Sequence, residues 1–161
     1  MGNDVTEATM DTPARQPRWL SQEDQAVWRN YLRATMEVRE ALERDLMDGH
    51  GLSLNEYEVM VVLSESPDHT ARMSTLAGDL VNSRSRLTHT VSRMERRGLV
   101  ARSSCADDGR GVNCRLTTAG YAVLQAAAPL HVESVRTHIF DRLTRSETDA
   151  LGRILAKLGD A

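Results

Sequence analysis

The stretch that decides the fold is residues 82–117, NSRSRLTHTVSRMERRGLVARSSCADDGRGVNCRLT. It holds eight arginines and three acidic residues, a net charge of +5, whereas the whole chain carries −3 and its remaining residues therefore sum to −8. An acidic chain that concentrates positive charge in one segment is predicted to present that segment to a polyanion. The segment also reads as a helix followed by a tight hairpin, a shape that fits a DNA groove and its neighbouring backbone.

The composition is that of an ordinary folded domain. With 161 residues, of which 40% are hydrophobic, the chain can bury a core without a disulfide framework or a metal ion. The histidines and the two cysteines lack the spacing of metal ligands, so no metal and no cofactor is expected. No apolar run approaches the ~20 residues of a membrane helix, and the N-terminus has no signal-peptide pattern. We therefore expect a cytoplasmic protein without membrane contact.

Helix signals dominate the first half of the chain. Ser21 is expected to cap a first helix that ends near Asp48, and Ser53 and Glu56 form the capping box of a second helix. Residues 66–72 are expected to be a loop. Ser74 is then expected to cap a short third helix that ends at Leu80.

The second half predicts one more helix, a hairpin and two further helices. Ser83 is expected to cap the fourth helix, which stops at Gly98. Strands are expected over 99–104 and 112–116, joined by a tight turn at Asp108-Gly109. Thr117 or Thr118 then caps a fifth helix, and a capping box at Thr144-Arg145-Ser146-Glu147 begins the last helix, which ends near Gly159. The fold class is therefore mostly α with a small β-hairpin.

The fourth helix is predicted to read DNA. Its apolar residues Leu87, Val91 and Met94 share one face, and its opposite face is polar and basic. With the third helix it forms a helix-turn-helix, in which the N-terminal half of the second helix reaches base edges. The residues expected to contact bases are Arg84, Ser85, Arg86, Thr88 and His89, with Ser83 beside them; Arg93 and Arg96 lie further back and suit phosphates. The alternative is a basic face that contacts only solvent.

The hairpin strengthens this prediction. Its tip presents Arg110 beside a sharp turn, and an arginine there can enter a narrow minor groove. Asp108, two residues earlier, can hold the guanidinium fork in place. The alternative is a plain structural turn.

Five short runs then point to a known family: Arg86-Leu87-Thr88, Arg93-Met94-Glu95, Arg97-Gly98-Leu99-Val100, Asp108-Gly109-Arg110 and Leu116-Thr117-Thr118-Ala119-Gly120. Their order and spacing resemble the winged helix of the MarR (multiple antibiotic resistance regulator) family. The most specific part is an Asp-x-Arg several residues before Leu-Thr-x-x-Gly. Members often carry an acidic residue three positions before that aspartate, where this chain has Cys105.

The resemblance implies a homodimeric DNA-binding regulator of transcription that binds a palindromic operator, and we expect it to act as a repressor. In it Arg110 is the wing-tip residue and Asp108 its orienting partner. Residues 1–18 are polar and contain two prolines, so we expect a disordered arm there. The resemblance implies a dimerisation helix (19–52), a winged helix-turn-helix (53–117) and two dimerisation helices (118–161).

The resemblance further implies release of DNA by a small phenolic or anionic ligand. The candidate contacts are Trp28, Tyr31, Tyr57, Met60 and Arg86. Plain core or interface packing is the alternative for each.

Three other functions are weighed against this one. Cys105 and Cys114 lie in the predicted wing, where neighbouring arginines are expected to lower a thiol pKa, so a redox-responsive regulator is one alternative. A winged helix used for protein–protein contact is another. No phosphate-binding loop, nucleophile elbow or zinc-protease motif is present, so we expect no enzyme.

Overall fold

The computed structural model describes residues 17–80, 84–105 and 111–159. Backbone contacts divide the chain after Ala34 into two units, 1–34 and 35–161. The described elements are α1 (Gln22–His50), α2 (Leu54–Glu65), β1 (Thr70–Arg72), α3 (Met73–Asp79), α4 (Arg84–Arg96), β2 (Val100–Ser104), β3 (Val112–Leu116), α5 (Thr118–His138) and α6 (Arg145–Gly159). The mostly helical class with a small hairpin is confirmed.

Side-chain caps begin α1, α2, α5 and α6 where the sequence predicts them. The Ser53 hydroxyl accepts from the Glu56 N–H (3.2 Å) and Glu56 Oε2 accepts from the Ser53 N–H (2.9 Å), so the capping box of α2 is confirmed. Thr117, rather than Thr118, caps α5. Ser21 caps α1 through the Asp24 N–H, and the Thr144 box begins α6.

Two predictions between α2 and α4 are wrong. Residues 66–72 are not simply a loop, because a 3₁₀ turn at Pro67–His69 leads into strand β1. Ser74 does not cap α3, because the helix begins at Met73, directly after Arg72 leaves the strand, with no side-chain cap. Instead, the backbone pairing of β1 with β3 determines where α3 begins.

The wing strands are confirmed, and β1 extends them to a three-stranded antiparallel sheet in the order β1-β3-β2. Arg102 of β2 pairs with Cys114 of β3, and the Cys105 N–H donates to the Gly111 carbonyl (3.0 Å) at the last described pair. The predicted turn at Asp108-Gly109 and the Ser83 cap lie outside the described residues.

The core of the second unit holds α4 by its apolar face. Leu87, Val91 and Met94 are all buried, as their spacing predicts, and pack with apolar residues of α2, α3 and the sheet. At the other side of this unit, Asp45 of α1 accepts from the Ser134 hydroxyl and lies 3.4 Å from His138 Nε2, which joins α1 to α5. Among the described residues, no helix is both long and apolar enough to cross a membrane.

The close approach of α5 to Leu99, just before β2, and to Leu116 of β3 leads to a first prediction. A Cβ on Gly120 would overlap the Leu99 carbonyl oxygen and lie 2.8 Å from Leu116 Cδ1. Gly120→Ala should therefore lower the free energy of unfolding by about 1–3 kcal/mol, measured by urea denaturation. Gly78 in α3 meets nothing within 4 Å, so Gly78→Ala is the control and should leave stability equal or raise it by about 0.5–1 kcal/mol. Equal effects of the two variants would contradict the packing described here.

Candidate nucleic-acid interface

The face of α4 opposite the core is exposed and polar. Ser85, Arg86, Thr88 and His89 are exposed in the first two turns, and Arg96 is exposed in the last. The apolar underside fixes which face points outward, because residues three and four apart share one side of a helix. Side chains that can donate to base edges and phosphates thus lie together on one surface.

Several predicted contacts fall outside the structure. Ser83, Asp108 and Arg110 lie outside the described residues, as does the side chain of Arg84. Their roles in DNA contact stay predictions.

Arg93 is placed differently from its neighbours on α4. Its Nε donates to Glu56 Oε1 (2.9 Å) and its Nη2 donates to the Ser53 hydroxyl (3.1 Å). Arg97, one turn later, donates from Nη1 to both Glu56 oxygens (3.2 and 3.3 Å). Arg93 was predicted to contact a DNA phosphate, but two of its donor nitrogens already bind Glu56 and Ser53 within the protein.

Glu56 is the acceptor at the centre of this group, and its side chain is almost fully buried (2% exposed). Burial by itself raises the pKa of its carboxyl. The Ser53 N–H, Arg93 and Arg97 outweigh burial and hold the pKa below its usual value. The carboxylate is therefore charged at neutral pH.

A second ion pair joins α4 to the wing. Glu95 Oε2 accepts from Nε and Nη2 of Arg102 (2.9 and 2.6 Å), and Glu95 Oε1 accepts from the Arg102 backbone N–H (3.0 Å). The Arg102 side-chain bonds, then its backbone bond, lower the pKa of Glu95. Since Arg102 is in β2, this pair joins the middle of β2 to the C-terminal end of α4.

The two cysteines are free and buried. Cys114 is fully buried, and burial raises the pKa of its thiol to about 11, so the expected lowering of a thiol pKa is wrong for this residue. Arg102 acts in the opposite direction but burial dominates. Cys105 hydrogen-bonds Asn113 and lies beyond the Ser104–Val112 pair, whereas Cys114 faces Arg102. The strand register thus separates the two sulfurs along the hairpin.

The candidate ligand contacts lie in different surroundings. Trp28 and Tyr31, in the first unit, are half-exposed and stack with ring centroids 5.8 Å apart. Tyr57 and Met60 lie in the core of the second unit, and Arg86 is exposed on α4. Ligand contact stays a prediction for all five. Within the described ranges, no three potential metal ligands lie close enough to hold an ion.

The sequence analysis predicted neither that Glu56 pairs with Arg93 and Arg97, besides capping α2, nor that Glu95 pairs with Arg102. The available signal was the spacing of Arg93 and Arg97, which lie four residues apart and therefore on the same flank of α4. A capping box accounts for Glu56 by itself, so nothing in the sequence called for a further partner.

Comparison with known proteins finds that the chain is similar to members of one family. Residues 52–112 match the model of the MarR family. The chain is 41% identical to Sco3205, a MarR family transcriptional regulator from Streptomyces coelicolor whose structure contains DNA; the TM-score is 0.86 and the match covers 91% of this chain and 92% of that one. It is also 39% identical to AbsC, a MarR family regulator from the same organism, with a TM-score of 0.82 and coverage of 89% and 97%.

A curated relative gives a weaker match of the same kind. The transcriptional repressor YetL of Bacillus subtilis is 26% identical over 110 residues, which cover 68% of this chain and 65%, just under two thirds, of the relative. All these relatives are transcriptional regulators rather than enzymes, as the sequence predicts.

The burial of the Cys114 thiol leads to a second prediction, that this cysteine resists alkylation in the native protein. With a pKa of about 11, roughly one thiol in a thousand is ionised at pH 8, and the core shields it further. Iodoacetamide at pH 8 should therefore leave Cys114 unmodified in the native protein and alkylate it fully in 6 M guanidinium chloride, as read by peptide mass spectrometry. Native alkylation at the unfolded rate would restore the redox alternative for this residue.

Proposed function

Because this chain belongs to the MarR family of transcriptional regulators, we propose that it is a sequence-specific repressor that binds a palindromic operator as a homodimer. The observation that carries the proposal is the exposed polar and basic face of α4, held outward by the buried Leu87, Val91 and Met94. In a helix-turn-helix this face enters the major groove. Arg110 and Asp108 would complete the contact at the wing tip.

The dimer is supported by α6. None of its residues is buried within the described chain, although Leu151, Ile154, Leu155 and Leu158 recur at helical spacing. Apolar side chains on one stripe of a helix are normally covered by another element. A second copy of the chain provides such a cover, and a two-fold dimer presents two recognition helices to the two halves of a palindrome.

The proposal extends to release by a small phenolic or anionic ligand. Among the described residues, His131 Nδ1 is a buried polar atom without a hydrogen-bond partner, and the imidazole lies 4.3 Å from the Tyr57 ring, centroid to centroid. Burial lowers the pKa of His131, so the ring is neutral and Nδ1 is able to pair with a ligand hydroxyl or carboxyl. A ligand bound there would need a coupling of only ~1–3 kcal/mol to change operator occupancy substantially.

Selection from a library of random DNA duplexes tests the function. We expect enrichment of an inverted repeat with half-sites about 10 base pairs apart, bound by two copies of the chain. The affinity should fall steeply with salt, because several phosphates are neutralised. Little affinity for any duplex at low salt would refute the proposal and favour a wing used for protein contact.

Substitutions on α4 separate base contacts from phosphate contacts. Arg86→Ala or His89→Ala should change the preferred bases, with a loss of about 1–3 kcal/mol on the selected duplex, because each removes a possible base contact. Arg96→Ala should weaken all duplexes alike and reduce the salt slope by about 0.9, the value for one phosphate. The measurements are binding isotherms on the selected duplex and on its single-base variants. If all three variants gave the same profile, this division of α4 would be wrong.

A further inference from the structure

The N-terminus of α2 is a junction at which three helices meet. Glu43 of α1 accepts from the Leu54 N–H (2.6 Å), and Ser53 and Glu56 form the capping box. Arg93 of α4 and Arg97, directly after α4, both reach the Glu56 carboxylate. We call this group the α2 junction; it comprises Glu43, Ser53, Leu54, Glu56, Arg93 and Arg97. The α2 junction gives α4 polar contacts in addition to the apolar contacts of its buried face.

The hydrogen bonds of Glu56 determine what the junction can do. Its Oε1 accepts from Arg93 and Arg97, and its Oε2 accepts from Arg97 and from the Ser53 N–H. A carboxylate this deeply buried needs such partners, since an uncompensated charge in the interior is strongly unfavourable. Both guanidinium groups are accordingly drawn onto one acceptor, although their side chains remain 52% and 38% exposed.

The contacts of Arg93 and Arg97 with Glu56 control the rotation of α4 about its axis, which apolar packing alone does not fix. Contacts of Leu87, Val91 and Met94 are non-directional, so they permit α4 to rotate or slide slightly over the core. Arg93 and Arg97 lie one turn apart, and a single fixed acceptor for both sets the rotation of the helix about its axis. Hydrogen bonds to base edges depend on that rotation, because they weaken steeply when misaligned.

We propose that Glu56 is a positioning residue for base recognition: it fixes α4 through Arg93 and Arg97 and holds both guanidinium groups back from the DNA backbone. The inference rests on the proposed function, since it requires that α4 read bases. Loss of the Glu56 charge would loosen the register of α4 and release two cations toward phosphates. Sequence discrimination would fall while binding to unrelated DNA would rise.

Glu56→Gln is the variant that isolates this role. Glutamine has nearly the same volume and can still accept from the Ser53 N–H, so the capping box is retained, while the charge and the second acceptor oxygen are lost. The readout is the ratio of the dissociation constants for a scrambled duplex and for the duplex selected by the wild-type protein. Partial unfolding lowers the active fraction equally for both duplexes and leaves this ratio unchanged.

We expect the ratio to fall about tenfold or more in Glu56→Gln, by loss of about one base contact's worth of discrimination. The salt slope on the scrambled duplex should steepen by as much as about 1.8, the value for two additional phosphate contacts. Glu58→Gln is the matched control: it is two residues away on α2, changes the net charge equally, and its partner is Arg39 of α1. Its ratio should stay within about twofold of wild type, since one contact of α4 to a base corresponds to a larger change.

Charge-matched variants complete the test. Arg93→Lys with Arg97→Lys retains both charges but not the guanidinium geometry, so the ratio should also fall; this pair carries the test if Glu56→Gln does not fold. A wild-type ratio in a folded Glu56→Gln or in the double lysine variant would overturn the inference while leaving the proposed function intact. A wild-type protein that discriminates between no duplexes would overturn both.

Discussion

A single buried carboxylate, that of Glu56, is the constraint on which the placement of α4 depends. Taking a charge of this kind out of water costs several kcal/mol, and the cost is offset only by well-placed partners. The chain supplies them from three places: the α2 cap at Ser53, Arg93 in the last turn of α4, and Arg97 directly after that helix. Hydrophobic burial decides that α4 packs on the core, and this ion pair decides at which rotation it does so.

Ion pairs within the protein also determine how much of the positive charge of the arginine-rich segment is available for DNA. Of its eight arginines, Arg93, Arg97 and Arg102 are engaged with glutamates of the protein itself. The +5 of the segment is therefore not a uniform cationic surface, since part of it stabilises the contacts of α4 with α2 and with the wing. For an acidic chain this favours recognition that depends on exact placement of a few donors over recognition by bulk charge.

Local signals made most of the fold predictable. Caps at Ser53, Thr117 and Thr144 and the alternation in 112–116 act within a few residues, so the sequence displays them directly. Strand β1 was missed because three residues carry no detectable alternation, and only pairing with β3 makes them a strand. The prediction of a Ser74 cap is wrong for the same reason. The pairing of β1 with β3, which the local sequence pattern does not show, sets where α3 begins.

The site was predictable to the extent that it depends on helical periodicity. The exposed face of α4 follows from Leu87, Val91 and Met94, whereas the partners of Glu56 and Glu95 depend on tertiary contacts 37 and 7 residues apart. These unpredicted contacts both hold the C-terminal end of α4, to α2 through Glu56 and to β2 through Glu95. Glu43 of α1 binds the same end of α2, so a displacement of α1 within this unit would reach α4 through directional bonds rather than through deformable apolar packing. Directional bonds of this kind are stiff, so a small shift at one element is transmitted to the next instead of being absorbed by side-chain repacking.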